Sequence, residues 1–215
     1  MHETARPAGQ FISLDGPDGG GKTTQVARLV EWLQSLGKTV VACRDPGGTG
    51  LGDRLRAILL DRSNLTFGMR AEMLMYMSSR AQLVDEIIRP ALEAGSVVVS
   101  DRYLLANVVY QGHAGGLPVE SLWEVGKAAT GGLMPDLTLI LDLPTDVARA
   151  RVGAARDRME DRSIDYHQRV RQGFLEAAAT YSAPIRIIDA SADTETIAAA
   201  IKTEVSHALA LDPRT

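Results

Sequence analysis

The stretch Gly16-Pro17-Asp18-Gly19-Gly20-Gly21-Lys22-Thr23 limits what this chain can fold into more than any other. It fits the pattern G-x-x-x-x-G-K-[ST]. The apolar run Phe11-Ile12-Ser13-Leu14 precedes it, and a helical stripe of Val26, Leu29, Val30, Leu33 and Leu36 follows. A strand that enters a glycine loop and leaves as a helix can turn its N–H groups around a phosphate without side-chain clashes. The helix N-terminus adds partial positive charge. The lysine of such a loop bridges the β- and γ-phosphates of a nucleoside triphosphate, and the threonine hydroxyl reaches Mg²⁺. The expected triphosphate-binding residues are therefore Gly16, Pro17, Asp18, Gly19, Gly20, Gly21, Lys22, Thr23 and Thr24. A glycine-rich turn with a surface lysine is the plainer reading, and the flanking strand and helix argue against it. So does the scarcity of lysine, since only Lys22, Lys38, Lys127 and Lys202 occur.

Strand and helix signals alternate along the rest of the chain. Apolar strands are expected at Phe11–Leu14, Thr39–Cys43, Ser96–Ser100, Leu137–Leu141 and Ile185–Ile188. Helical patterns fall between them at Leu51–Leu60, Met69–Glu93, Leu117–Thr130, from Thr145, at Ser163–Tyr181 and at Asp193–Leu209, with a break or bend near Pro90. Five such strands predict a parallel sheet with helices on both faces. The 215 residues suit one α/β domain over residues 1–215, and no linker or repeat divides them. Ligands of such sheets bind at the carboxyl ends of the strands. The polar segments Gly16–Thr23, Arg44–Thr49 and Asp101–Tyr103 all fall there.

Composition narrows the partners. A net charge of -4 argues against a nucleic-acid surface spread over the chain, so no nucleic-acid partner is expected. No apolar run reaches the roughly 18 residues needed to cross a bilayer. Met1–Gln10 lacks the apolar stretch of a signal peptide. A soluble cytoplasmic protein with no membrane partner is expected. Cys43 is the only cysteine and reads as a small core residue, and His2, His113, His167 and His207 form no zinc-like cluster.

A phosphate loop does not name the phosphate acceptor. Water, a protein, a nucleoside and a nucleotide all remain possible at this point. The Asn-Lys-x-Asp motif of guanine-specific switches is absent. Ser100-Asp101-Arg102-Tyr103 ends the third strand; Asp101 is placed to hold Mg²⁺, and Arg102 to contact both the acceptor phosphate and the moving phosphoryl group. A structural ion pair is the alternative there.

The order and spacing of Phe11–Gln25, Arg44-Asp45-Pro46-Gly47-Gly48-Thr49, Asp101-Arg102-Tyr103, Tyr110-Gln111-Gly112 and Asp157-Arg158-Met159-Glu160 resemble the thymidylate kinase (dTMP kinase) family over nearly the full length. The resemblance implies a P-loop NTPase fold of the nucleoside monophosphate kinase type. It implies ATP as phosphate donor, Mg²⁺, dTMP as acceptor and a homodimer. It puts thymine against Tyr76, with the Arg80 guanidinium on its O4 carbonyl; the two are i, i+4 on one helix face. It puts Asn107, Tyr110 and Gln111 at the base and deoxyribose, with Tyr110 crowding the sugar 2′ position. Arg44 is the implied clamp on the dTMP phosphate, with Asp45 where the family usually has glutamate. Asp18 is implied to reach the dTMP 3′-hydroxyl or to help place Mg²⁺.

Some members carry an arginine immediately after that acidic residue, where this chain has Gly19. The other subtype supplies the cation from a lid. The segment about 149–162 is the expected lid, with Arg149, Arg151, Arg156, Arg158 and Arg162 around Gly153. Arg156 and Arg158 are the implied catalytic cations beside Lys22, Arg102 and Asp18, whereas Arg162 is expected on a solvated face. Two alternatives stay open: another nucleotide or deoxynucleoside kinase, and a non-catalytic nucleotide-dependent binding protein.

Overall fold

The computed structural model describes residues 9–62, 65–152, 157–181 and 183–210. Five strands form one parallel sheet: β1 Gln10–Asp15, β2 Val40–Arg44, β3 Val97–Asp101, β4 Leu137–Asp142 and β5 Ile185–Asp189, in the order β2-β3-β1-β4-β5. All five lie where the apolar runs predict them. Side chains alternate between faces along each strand. Ile12, Leu14, Val97, Val99, Leu139 and Leu141 pack on one face beneath helices α1 (Lys22–Ser35) and, near the chain end, Thr194–Ala208. Phe11 and Val98 face the opposite side with Met73, Met77, Leu83 and Leu122, and Ile140 does so with Val109, Val170 and Phe174. Burial on both faces is why the three central strands β3, β1 and β4 are largely apolar, whereas the edge strands β2 and β5 are partly exposed.

The other helices are α2 Gly50–Leu60, α3 Met69–Leu83, α4 Arg89–Glu93, α5 Leu104–Asn107, α6 Val119–Thr130, α7 Thr145–Val152, α8 Ile164–Thr180 and the last, α9, given above. The expected disturbance near Pro90 takes a definite form. A π-helical turn, Val84–Ile88, joins α3 to α4, and the Arg89 N–H bonds back to the Val84 carbonyl. Proline has no N–H, and its ring clashes with the carbonyl four residues earlier. A widened turn relieves that clash without ending the helix. A second π-helical turn, Val108–His113, follows α5, with the Ala114 N–H on the Val109 carbonyl at 2.9 Å.

Strand register places the chemistry. Leu14 and Arg44 both stand level with Asp101, and Asp15 stands level with Ile140. β2 and β3 therefore end level, β1 ends one residue beyond them and β4 two residues beyond β1, and the glycine loop leaves β1 between β3 and β4. No described helix is long and apolar enough to cross a membrane.

Leu139 sits on a central strand with no exposed surface. Leu139→Ala is expected to cost about 2–5 kcal/mol of unfolding free energy, read by urea denaturation, because the strand between two neighbours cannot collapse into the gap.

Candidate active site

The phosphate loop is tied to the sheet by close backbone approach. Gly16 has φ 131°, and a Cβ there would lie 2.5 Å from the Leu141 carbonyl oxygen. Gly19 has φ 79°, and a Cβ there would collide with the Ala148 carbonyl of α7. An arginine at position 19 is thus excluded while α7 keeps this position, in keeping with a loop that carries no cation of its own there. Lys22 is only 7% exposed. Its ammonium donates to the Pro17 carbonyl at 2.7 Å and to the Gly16 carbonyl at 3.2 Å. Burial, and then the nearby Arg102 charge, bring its pKa from 10.5 down to about 8.

Thr23 Oγ1 donates to Asp101 Oδ2 at 2.7 Å at the mouth of the same cleft. A hydroxyl beside a carboxylate is a pair of hard oxygen donors. Mg²⁺ usually takes one or two such protein ligands and completes its shell with phosphates and water. Among the described residues, no three acidic, histidine or cysteine side chains gather as a metal cage. The Thr23–Asp101 pair therefore fits Mg²⁺ brought with a phosphate ligand better than a resident metal. Asp18 offers less, because both its oxygens are occupied.

Arg102 is the hinge of the site. Its φ of 71° is in the left-handed region, which costs a non-glycine residue on the order of 1 kcal/mol or more. Its N–H bonds to the Leu14 carbonyl at 2.9 Å. The guanidinium donates to the Gly16 carbonyl at 2.8 Å and to Asp18 Oδ1 at 2.5 Å. Tyr110 donates to the other Asp18 oxygen at 2.9 Å. Burial pushes the Asp18 carboxyl up, but Arg102, Lys22 and the Tyr110 hydrogen bond outweigh it and hold the pKa below its usual value.

Beyond Asp18 and Arg102 opens a second cavity. Tyr76, Arg80, Asn107, Tyr110 and Gln111 line it, so the structure brings these expected residues together. Arg80 is 1% exposed; its Nε donates to Asp45 Oδ2 at 2.5 Å and its Nη1 to Asn107 Oδ1 at 3.0 Å. Burial pushes the Asp45 carboxyl up despite that cation. Arg44 does not line this cavity; it lines the phosphate-loop cleft and pairs at 3.3 Å with Asp53.

Two residues that sequence reasoning passed over belong to the site. Arg56 lines both the cavity and the phosphate-loop cleft and donates to the Pro46 carbonyl at 3.0 Å. Glu72, 1% exposed, accepts from Gln111. The signal for Glu72 was present, because Glu72, Tyr76 and Arg80 repeat every four residues on one helix face. Arg56 carried no such mark.

The arginines of the 149–162 segment scatter. Arg149 lines a small hollow with Pro17, Asp18 and His167. Arg151 donates to the Ala190 carbonyl at 2.9 Å and borders the glycine loop from the far side. Arg156 lies outside the described residues. Arg158, expected at the phosphates, is turned instead to Glu72 at 2.6 Å and to the Leu59 carbonyl at 2.8 Å. Arg162, expected on a solvated face, bonds the same buried Glu72 at 2.7 Å. A buried carboxylate attracts cations that would otherwise stay hydrated.

A parallel sheet, a phosphate loop at its centre and an adjoining acceptor cavity define a P-loop kinase of the nucleoside monophosphate type. Comparison with known proteins makes this specific. A family model described as thymidylate kinase matches residues 14–201. The thymidylate kinase of Rhodopirellula baltica is 46% identical over 193 residues, covering 90% of this chain and 78% of the relative. That of Symbiobacterium thermophilum is 42% identical, covering 93% and 94%. That of Bifidobacterium longum is 43% identical, covering 93% and 98%. The chain belongs to the thymidylate kinase family.

The lowered Lys22 pKa has two measurable consequences. The unfolded chain holds that proton up to 10.5 and the folded one only to about 8, so Lys22 works against folding at neutral pH and this penalty fades as pH rises from 8 to 10.5. Bound phosphates restore the charge. ATP binding at pH 8 is expected to take up roughly half a proton, measured by calorimetry in buffers of different ionisation enthalpy. Lys22→Met should abolish that uptake.

Proposed function

We propose that this protein transfers the γ-phosphate of ATP to dTMP, giving ADP and dTDP, the activity that its family membership supports. One observation carries the reading. The phosphate-loop cleft and the acceptor cavity meet, sharing Asp18, Asp45, Arg56, Arg102 and Asp157 as a common wall. A donor triphosphate and an acceptor monophosphate would face each other across Arg102.

The acceptor is already an ionised phosphate, so no strong general base is needed, and catalysis rests on position and charge. Lys22 exchanges the Gly16 and Pro17 carbonyls for the β- and γ-phosphates. Arg102 stands between donor and acceptor; Arg56 lines both the cavity and the cleft, and Arg44 lines the cleft alone. Arg149 and Arg156, two of the expected lid arginines, add positive charge at the transferring phosphoryl group. Mg²⁺, when bound at Thr23 and Asp101, supplies neutralising charge at the phosphate oxygens.

Arg80 gives thymine specificity. Its guanidinium donates to a carbonyl at base position 4, where cytosine would oppose donor with donor. The half-buried Tyr76 ring stacks on the base. Tyr110, held by Asp18, crowds a ribose 2′-hydroxyl. We place the protein in the cytoplasm with its nucleotide substrates, as a homodimer. The exposed apolar side chains Leu51 and Ile58 on α2 and Leu74 on neighbouring α3 suit a subunit face.

A panel of dTMP, dUMP, UMP, dCMP and thymidine with ATP tests the specificity, with dTMP expected as the preferred acceptor by kcat/KM. Preference for another member would overturn it, and tight ATP binding without transfer to any would favour a nucleotide-dependent binding protein. Lys22→Ala is expected to lower kcat by on the order of 10²-fold or more, since its charge acts mainly in the transition state.

A further inference from the structure

Glu72 is the one carboxylate on the face of α3 that carries Tyr76 and Arg80, and both its oxygens are engaged. Oε1 accepts from Gln111 Nε2 at 2.8 Å, and Oε2 accepts from Arg158 and Arg162 at 2.6 and 2.7 Å. A carboxylate can only accept, and a guanidinium can only donate. These facts give the polar chain of the acceptor cavity a direction. Gln111 must show its NH₂ to Glu72 and therefore its oxygen to Asn107, whose Nδ2 donates to it at 2.6 Å. Asn107 is left with its oxygen toward Arg80, which donates to it at 3.0 Å. An anion at one end and a cation at the other thus fix both amides.

The second oxygen holds the opposite wall. Arg158 and Arg162 belong to the 157–162 turn, whose Asp157 and Met159 line the acceptor cavity. Arg158 also donates to the Leu59 carbonyl and lies 4.3 Å from the centre of the Phe67 ring. These two side chains are 20–22% exposed, whereas Glu72 is 1% exposed, so the charge that organises them is the buried one.

We propose that Glu72 is a positioning residue for the acceptor: it sets the orientation of the Gln111 and Asn107 amides on one side of the cavity and pins the 157–162 turn as its other side. Arg158 and Arg162 build that wall. The proposal rests on the dTMP reading for its choice of substrate, but not for its geometry.

The test is Glu72→Gln, which keeps shape and removes charge. Two arginines require the oxygen of the introduced amide, so the NH₂ of that amide would meet the Gln111 NH₂. Flipping Gln111 only passes the conflict to Asn107 and then to Arg80. One unmatched donor pair is worth about tenfold in affinity or more, so KM for dTMP is expected to rise by about that factor while KM for ATP stays within about twofold. Hydrogen exchange of the ligand-free protein is expected to speed up by about tenfold at residues 157–162 and to stay unchanged at residues 16–23. Arg162→Met, which leaves the amide chain intact, is expected to speed exchange at 157–162 with a smaller change in KM for dTMP.

Parallel rises in both KM values, an unchanged KM for dTMP, or unchanged exchange at 157–162 would each overturn the proposal. A parent protein inactive with dTMP would sink the functional reading alone. Exchange in the ligand-free protein would still decide the role of Glu72.

Discussion

Arg102 is held at several points at once: its backbone at positive φ against β1, its guanidinium on the Gly16 carbonyl and on Asp18. A cation this enclosed is tolerable only when its donors are matched. Matching them draws the phosphate loop, the end of β3 and Tyr110 into one polar unit, and the two clefts meet there because that unit exists. Internal partners hold the charges in place: Lys22 rests on loop carbonyls and Asp18 on Arg102 and Tyr110. Ligand phosphates would replace these internal partners, so the site exchanges contacts rather than creating them from water. That preorganisation is what makes fixed charge effective at a reacting group.

The acceptor side follows the same logic at greater depth. Arg80, Asp45, Asn107, Gln111 and Glu72 are all nearly buried, and each satisfies the next. The matching is incomplete, since Asp45 Oδ1 and Asp15 Oδ1 have no hydrogen-bond partner among the described residues, and burial pushes both carboxyls up. Groups held in this way lower stability and raise specificity, because a wrong base edge would leave buried donors unmatched. The same reasoning explains why Arg162 is not a surface residue. Glu72 is a stronger attraction than water for a guanidinium that already packs on the Tyr166 ring.

Much of the fold was legible in the sequence. The three central strands stood out because burial on both faces favours apolar runs, the edge strands because they stay largely apolar though part-exposed, and the glycine loop because its conformation demands glycine. Tyr76 and Arg80 could be placed on one face by helical spacing, and Asp101 and Arg102 at a strand end by their position after Val97–Ser100. Pro90 announced a disturbance, though not that a π-helical turn would absorb it. The π-helical turn after Asn107 had no proline to announce it. The segment 149–162 showed its arginines, but spacing gave no direction to any of them.

The sequence by itself determined the parallel sheet, the phosphate loop and the residue types available to it, because local periodicity and backbone sterics act over a few residues. Only the tertiary structure decided which charges meet. Arg158 and Arg162 find Glu72 across 86 and 90 residues, and Arg102 finds Asp18 across 84. No local pattern encodes such pairings. They follow from where the sheet places each strand end and from the rule that a buried charge takes the nearest opposite one.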